Sequence, residues 1–309
     1  MTSSFFRPVR AMFRAAVFFL KVFPMLPSRP VDWVTHPPLI ERVRYPTMDG
    51  TAEGDIYRPS SPGRHPGILV CLGVVPFEVN HPQVPVLGRA LARAGFAALL
   101  YWSPAMRDFR LDPKDINNIA LVYQWLIEQP FVDASRSGLL GTCVGGSFAL
   151  MAAAHPLIRQ QVSYVSAYAP YSSLWTFSRD IVSNTVDEQN GRRAWKVDSL
   201  TRKVFIHSLT AFLHPEEARH LRRAFLEGER LDNESSLSED GKAVAALLSA
   251  SSLAEAERAL EHLPGQIRQA FSGISPLTYL EDLRAPLVVL LHDRGDQVIP
   301  IGETRRLCA

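Results

Sequence analysis

The sequence lacks the features that mark several large classes of protein. Its three cysteines, Cys71, Cys143 and Cys308, are far apart and odd in number, which excludes a disulfide framework and a cysteine-based metal site. Such cysteine usage fits a reducing compartment, and we expect a cytoplasmic protein. Internal repeats and low-complexity tracts are also missing. The 309 residues are 47% hydrophobic and 21% charged, an ordinary globular composition that suffices for one large domain with an insertion.

Acidic residues are missing from the first 31 positions, which contain five basic side chains. Because the whole chain has a formal net charge of +2, the remainder carries −3. This excludes the basic excess of a nucleic-acid-binding domain, and we expect no nucleic-acid partner.

Residues 5–23 contain no uncharged apolar run long enough for a membrane span and no small-residue site for signal cleavage. Arg7, Arg14 and Lys21 recur every seven residues and would share one stripe of a helix. This pattern favours a basic amphipathic helix that lies on a membrane surface, so that the protein is peripheral. Two alternatives stay open, a helix that packs its aromatic side chains on the protein's own body and a signal or anchor. The proline-rich residues 24–38 are interpreted as an extended linker.

Beyond this segment, short apolar runs alternate with stretches of helical periodicity. Such alternation predicts an α/β fold, a mostly parallel sheet with helices on both faces. Residues 172–275 break the alternation with amphipathic helical patterns. We divide the chain into an N-terminal helix and linker (1–38), an α/β core (39–171 and 276–309) and a helical insertion (172–275).

The most informative stretch is residues 141–146, Gly-Thr-Cys-Val-Gly-Gly, which stands between a strand-like run and a small-residue helical run. This order is typical of a nucleophile elbow, in which a sharp turn pushes the side chain at its apex out above the sheet. The apex here is Cys143. The start of the helix favours a thiolate, and the N–H of Val144 would stabilise the oxyanion of a bound carbonyl. The alternative is a glycine-rich turn with a buried structural cysteine.

Through this motif the chain resembles the α/β-hydrolase superfamily, and G-x-C-x-G-G is similar to the dienelactone hydrolases, which use a Cys-His-Asp triad. The resemblance implies the α/β-hydrolase fold, with the helical insertion as a cap over the active site. It also implies that Cys143 is the nucleophile. A second oxyanion donor is expected in the loop after the first central strand, and we assign it to the N–H of Val74.

Residues 286–300 resemble the strand and the H-G-x-x-D-x-x-V-P segment of the same superfamily. The match makes Asp296 the acid of the triad, with Asp293 as a weaker candidate. It also makes His292 the histidine that this segment normally carries, which is not the catalytic one.

The histidine base is missing from the position that the superfamily gives it, because no His follows Asp296. We expect the sequence to be a fragment of a longer enzyme, and the alternative is a true chain whose triad has decayed. By themselves the 309 residues are expected to be nearly inactive. His207 and His214, in the helical insertion, are expected to be surface or core residues.

Together these residues predict a hydrolase that cleaves an apolar small-molecule ester or lactone through an acyl-cysteine intermediate. No metal or organic cofactor is expected. A thioesterase or acyltransferase on the same fold stays an alternative, as does a non-catalytic protein that binds a ligand under the cap. Five aromatic side chains of the insertion would line the pocket or form the insertion's own core, and the core is the favoured interpretation: Trp175, Phe177, Trp195, Phe205 and Phe212.

Overall fold

The computed structural model describes residues 6–23, 29–74, 81–188, 191–231 and 237–309. Its centre is a seven-stranded sheet in the order β1-β2-β4-β3-β5-β6-β9. These strands are β1 (Leu39–Thr47), β2 (Gly50–Arg58), β3 (His65–Cys71), β4 (Ala97–Tyr101), β5 (Val132–Thr142), β6 (Tyr164–Tyr168) and β9 (Val288–Leu291). Only the pairings β1-β2 and β2-β4 are antiparallel. The mostly parallel sheet predicted from the sequence is confirmed.

Successive side chains of β3 point to opposite faces of the sheet, and each face is covered by different helices. Ile68 and Val70 pack on the face that carries α3 (Gln83–Arg93), whereas Leu69 and Cys71 pack on the opposite face. The opposite face carries α5 (Lys114–Ile127) and α6 (Val144–Ala153), and the short α4 (Pro104–Arg107) follows β4. Because helices cover both faces, β3 is buried along its whole length.

The helical insertion lies between β6 and β9 in the chain. Its helices are α7 (Leu174–Ser183), α8 (Ser199–Thr210), α9 (Pro215–Arg222), α10 (Glu239–Ser249), α11 (Leu253–Glu261) and α12 (Gly265–Gly273). A π-helical turn (Arg223–Glu227) continues α9, and a 3-10 helix (Pro276–Asp282) leads into β9. The antiparallel hairpin of β7 (Thr185–Glu188) and β8 (Gly191–Ala194) interrupts this mainly helical segment. After β9, α13 (Ile301–Leu307) is the last helix described.

The predicted N-terminal helix is present as α1 (Phe6–Val22), and it packs on the protein's own body. Val17 is 2% exposed, and Phe18 joins the apolar cluster beneath α3. Lys21, from the predicted basic stripe, pairs with Asp32 at 2.7 Å. The side chain of Arg7 lies outside the described residues. None of the described helices is long and apolar enough to cross a bilayer.

The prediction of an extended linker over residues 24–38 is wrong for residues 29–34, whereas residues 35–38 form neither helix nor strand. A short helix, α2 (Arg29–Val34), occupies this stretch, and residues 24–28 lie outside the described residues. Pro30 is compatible with this helix because a proline in the first turn gives up an N–H that has no helical partner. Asp32 anchors the helix through ion pairs with Lys21 and with Arg93, the latter at 2.8 Å. Both partners are distant in the sequence, so the local pattern of residues does not predict these pairs.

Candidate active site

Cys143 occupies the apex of a sharp turn between β5 and α6. Its backbone has φ 56° and ψ −134°, in the left-handed half of conformational space that non-glycine residues rarely adopt. Such a conformation costs on the order of 1–3 kcal/mol and persists only where the surroundings fix it. One restraint is the hydrogen bond that the N–H of Cys143 donates to the carbonyl of Tyr168, at 2.8 Å. A sharp turn with Cys143 at its apex is therefore present between β5 and α6.

Glycines let the backbones around this turn approach one another directly. A side chain at Gly141 would overlap the carbonyl of Gly145, and one at Gly145 would overlap the carbonyl of Cys71. A side chain at Gly73 would come within 2.6 Å of the carbonyl oxygen of Thr142. The loop that follows β3 is consequently held against the elbow, and Val74 comes next in this loop.

The thiol of Cys143 is held mainly in its protonated form. Burial raises its pKa to about 12, the negative charge of Asp296 acts in the same direction, and the N–H of Val144 lowers the pKa by donating a hydrogen bond to the sulfur. The expectation that the start of the helix lowers the pKa of this thiol is therefore wrong for the net pKa. The local effect is present, but the loss of hydration outweighs it.

An apolar cavity lies above the elbow. Cys143, Val144 and Val74 all line it, so the structure brings together the predicted nucleophile and both residues predicted to form the oxyanion hole. The space open to a water-sized sphere is about 40 Å³, enough for roughly three water molecules. The other lining residues are Leu111, Leu174, Phe177, Ser178, Ile181, Leu200, Thr201, Val204, Phe205, Ser208, Leu209, Phe271, Val298 and Ile299. No charged side chain is among these described residues.

Two of the five aromatic residues singled out in the insertion line the cavity, Phe177 and Phe205. The other three belong to the packing behind it. Trp195 stacks on Phe177 with 6.2 Å between ring centroids, and Trp175 packs edge-on against Phe271 at 5.4 Å. The favoured interpretation, that most of the five form the core of the insertion, is confirmed, and Phe177 and Phe205 belong to the same core and also border the cavity.

The loop after β9 contains the predicted acid. Asp296 accepts hydrogen bonds from the N–H groups of Val298 and Ile299 at 2.7 and 3.0 Å through Oδ1, and both of these residues line the cavity. His292 is engaged on both ring nitrogens, with the carbonyl of Ile299 at 2.8 Å and the hydroxyl of Thr304 at 2.6 Å. His292 therefore acts as a brace of this loop.

The weaker acid candidate, Asp293, stabilises the turn in which it lies. Its carboxylate accepts a hydrogen bond from the N–H of Gly295 at 2.8 Å, and the residue is exposed. Throughout the described ranges, no three His, Cys, Asp or Glu side chains are close enough to hold a metal ion.

The comparisons with known proteins agree with this architecture. No protein-family model matches the sequence. A protein of Bradyrhizobium sp. named probable 2-oxo-3-(5-oxofuran-2-ylidene)propanoate lactonase is 31% identical over 122 residues, which cover 35% of this chain and 48% of the lactonase. The solved structure of 2,6-dihydroxy-pseudo-oxynicotine hydrolase superposes with a TM-score of 0.52 and 15% identity, over 88% of this chain and 57% of that one.

This chain has the α/β-hydrolase fold. It spans about half the length of the lactonase. The solved hydrolase is too distant in sequence to carry more than the fold.

No described histidine lines the cavity of this α/β-hydrolase fold. His207 lies on the opposite side of α8, against the ring of Phe109 at 6.1 Å between centroids. Its pKa is lowered by partial burial and by the nearby positive charges of Arg222 and Lys203. His214 precedes α9 and does not line the cavity. Neither residue is placed to act as a base for Cys143.

Three hydroxyl-bearing residues of the cavity were not singled out in the sequence: Ser178, Thr201 and Ser208. A signal was available for the first. On α7, Leu174, Phe177 and Ile181 form the apolar face, and Ser178 stands at a position of that same face. A polar residue within an apolar helical stripe is the pattern that would have identified it.

Proposed function

We propose that this chain is a hydrolase of neutral carboxylic esters or lactones, with Cys143 as the nucleophile. The observation that carries the proposal is the position of the strained Cys143 at the wall of an apolar cavity, beside a backbone N–H that already hydrogen-bonds its sulfur. Backbone strain of this kind is concentrated at functional sites. A buried structural cysteine would require neither the positive φ nor the cavity.

In the proposed reaction, the thiolate of Cys143 attacks the carbonyl carbon, and a C–S bond forms. The N–H groups of Val144 and Val74 stabilise the resulting oxyanion. Collapse of the tetrahedral intermediate breaks the C–O bond of the ester and leaves an acyl-cysteine, while the alcohol leaves with a proton. Water then attacks the thioester and releases the acid. Removal of the thiol proton and activation of this water both need a base, which Asp296 would orient.

The cavity favours an uncharged substrate. A carboxylate buried among these apolar side chains would lose its hydration without gaining a counter-charge, which is strongly unfavourable. The name of the Bradyrhizobium relative supports a lactone as the reacting group, because that protein is called a lactonase. Its keto acid is not carried over to this chain, since the described cavity offers no cation to an acid group.

We also propose that the helical insertion is a cap. α7 and α8 supply most of the cavity wall opposite Cys143. In this role the two helices would cover a substrate that is bound against Cys143.

The test is acylation of the chain with p-nitrophenyl pentanoate at pH 9, followed by intact-mass and peptide mass spectrometry. An activated ester acylates a thiolate without general-base help, whereas deacylation needs an activated water. We therefore expect one acyl group to accumulate on Cys143, with one equivalent of p-nitrophenolate and little turnover.

Cys143→Ala is the matched variant for this experiment and should accumulate no adduct. Both proteins carry Cys308→Ser, because an exposed thiol reacts with an activated ester by itself. Equal modification of Cys71, or the same adduct yield in Cys143→Ala, would reject Cys143 as the nucleophile. A second candidate function, ligand binding without catalysis, is favoured by the raised pKa of Cys143. It predicts no adduct at all. If an added alcohol or thiol receives the acyl group faster than water does, the protein is an acyltransferase.

We further propose a cytoplasmic protein that associates peripherally with membranes through α1. The support is an outer apolar stripe, formed by residues that fall on one side of α1 and of the residue that follows it: Val9, Met12, Phe13, Phe19 and Phe23. Each of these side chains is at least 50% exposed, and Trp33 on the adjoining α2 is 84% exposed. Contiguous exposed apolar surface of this kind marks an interaction site. The opposite side of α1 is already occupied by its contact with α3.

Cosedimentation with phosphatidylcholine–phosphatidylglycerol vesicles tests this association. Replacing Phe13, Phe19 and Phe23 by Ser should weaken vesicle binding by more than about tenfold, because about 1 kcal/mol or more of apolar transfer energy is lost per ring. The control replaces three exposed leucines outside α1 by Ser and should leave vesicle binding unchanged: Leu157, Leu277 and Leu287. Equal binding by both triple variants, or self-association of the unmodified protein without lipid, would contradict the proposal.

A further inference from the structure

Ser178 has a hydroxyl group whose bonding is incomplete. Its side chain lines the cavity above Cys143 and its residue is fully buried. Among the described residues, its Oγ is the buried side-chain nitrogen or oxygen that has no hydrogen-bond partner. A buried hydroxyl normally finds a partner, since burial without one forfeits its hydration.

The other two hydroxyls of the cavity, those of Thr201 and Ser208, already form hydrogen bonds within the protein. Thr201 donates to the carbonyl of Val298 at 2.9 Å. Ser208 donates to the carbonyl of Val204 at 2.7 Å and accepts a hydrogen bond from the N–H of Leu111 at 2.9 Å. These bonds tie α8 to the loop after β9 and to the loop after α4. Ser178 alone of the three remains available to a bound molecule.

We propose that Ser178 is a specificity-determining residue that donates a hydrogen bond to an oxygen of the substrate remote from the reacting carbonyl. The inference rests on the function proposed above, because it takes Cys143 to mark the reacting end of the same cavity. Esters and lactones contain oxygen acceptors and no strong donors, so the hydroxyl has to be the donor. Apart from Thr201 and Ser208, whose hydroxyls are bonded within the protein, the other described lining residues offer no oxygen or nitrogen donor from a side chain. The substrate class is therefore an apolar ester or lactone with one further oxygen, such as a ketone or an ether.

The geometry of α7 supports this role. Leu174, Phe177 and Ile181 share the cavity-lining face with Ser178, and they fix the body of a ligand by apolar contact. In such surroundings, a ligand without the extra oxygen leaves the hydroxyl unpaired on binding, whereas a ligand with it supplies the missing partner. Discrimination by one unpaired buried polar group is stronger than discrimination by shape alone.

The experiment compares p-nitrophenyl 4-oxopentanoate with p-nitrophenyl pentanoate, two esters of equal chain length that differ by one ketone oxygen. We measure the rate constant of Cys143 acylation in the unmodified protein and in Ser178→Ala. The variant should acylate about tenfold more slowly with the oxo ester and within about twofold of normal with the plain ester, as expected for one lost hydrogen bond. An equal effect on both esters, or none on either, overturns the proposal.

A stability measurement separates this role from a structural one. Ser178→Ala removes an unpaired buried hydroxyl, so its midpoint of thermal unfolding should be equal to or above that of the unmodified protein. Ser208→Ala, the contrasting variant, leaves the N–H of Leu111 without a partner and should unfold at a lower temperature. A lowered midpoint for Ser178→Ala would show that the hydroxyl stabilises the fold and would overturn the inference.

A binding arm keeps this inference distinct from the proposed hydrolase function. In a Cys143→Ala background, ethyl 4-oxopentanoate should raise the unfolding midpoint more than ethyl pentanoate does, and the additional Ser178→Ala change should remove that difference. If Cys143 is never acylated but this difference is observed, the hydrolase function fails and the Ser178 site stands. If Cys143 is acylated and no difference appears with either assay, the Ser178 site fails alone.

Discussion

At the scale of single residues, the protonation of Cys143 results from two opposing effects. The hydrogen bond from the N–H of Val144 favours the thiolate, whereas burial in the apolar cavity and the charge of Asp296 favour the thiol. With its pKa raised to about 12, Cys143 is mainly a thiol at neutral pH. A nucleophile in this state depends on a base that removes its proton during the reaction.

We therefore predict the pH dependence of the reaction between Cys143 and iodoacetamide. Because the raised pKa lies far above the range tested, the rate should increase about tenfold per pH unit from pH 7 to 9.5 without a plateau. Peptide mass spectrometry of timed samples measures it. Cys71 is the buried control and should stay unmodified, whereas the exposed Cys308 should react fastest. A plateau below pH 8 would mean that a base or cation lies beside the sulfur.

At the scale of elements, the elbow depends on glycines at which helix and strands touch through their backbones. Gly145, in the first turn of α6, contacts the end of β3 so closely that no side chain fits between them. The overlapping atom would be the carbonyl oxygen of Cys71, which is a fixed part of the central sheet. A methyl group here can be accommodated only if α6 moves away from the sheet.

Gly145→Ala should accordingly lower the free energy of unfolding by about 3 kcal/mol, the upper part of the range for overpacking. It should also slow Cys143 acylation, because the displaced helix carries the N–H of Val144. Urea denaturation measures the first effect. Gly273→Ala at the end of α12 is the control, since a methyl group there meets open space and should change stability by less than about 1 kcal/mol. Similar losses in both variants would contradict the packing argument.

At the scale of the whole molecule, a partly buried ion network connects α13 to the helical insertion. Arg306 of α13 pairs with Asp187 of β7 at 2.6 Å, with Asp180 of α7 at 3.6 Å, and closely with Glu303 of its own helix. The side chains of Asp180 and Glu303 are 3% and 1% exposed. Glu303 also accepts a hydrogen bond from the N–H of Ser172 at 2.8 Å. The network thus fixes the start of the insertion relative to the loop that carries Asp296.

Arg306→Met should lower the free energy of unfolding by about 3 kcal/mol, because it removes the counter-charge of a buried carboxylate. Denaturant unfolding followed by circular dichroism measures the change. Arg305→Met, on the exposed side of the same helix, is the matched control and should have an effect within about 0.5 kcal/mol. If the two variants are equally stable, the ion network contributes nothing and packing alone holds α13 in place.

The pattern of elements was largely predictable from the sequence. Strands that are buried on both faces of the sheet require continuous apolar runs, which the sequence shows for β3, β4 and β5. A helix that is buried on one side requires apolar residues at helical spacing, which the sequence shows for α5. α2 and the β7–β8 hairpin were not predicted. Both are short, and charge pairs with distant residues stabilise them, such as Asp32 with Arg93 and Asp187 with Arg306.

The sequence by itself determined the elbow, since residues 141–146 combine the glycines that permit close backbone contact with a cysteine at the apex. Only the tertiary structure decided the chemical state of that cysteine and the surroundings in which it lies. The pKa of Cys143 depends on how much water the helical insertion excludes, and the availability of Ser178 depends on which distant groups satisfy Thr201 and Ser208. Burial and hydrogen bonding of this kind arise between residues far apart in the chain, and no local pattern specifies them.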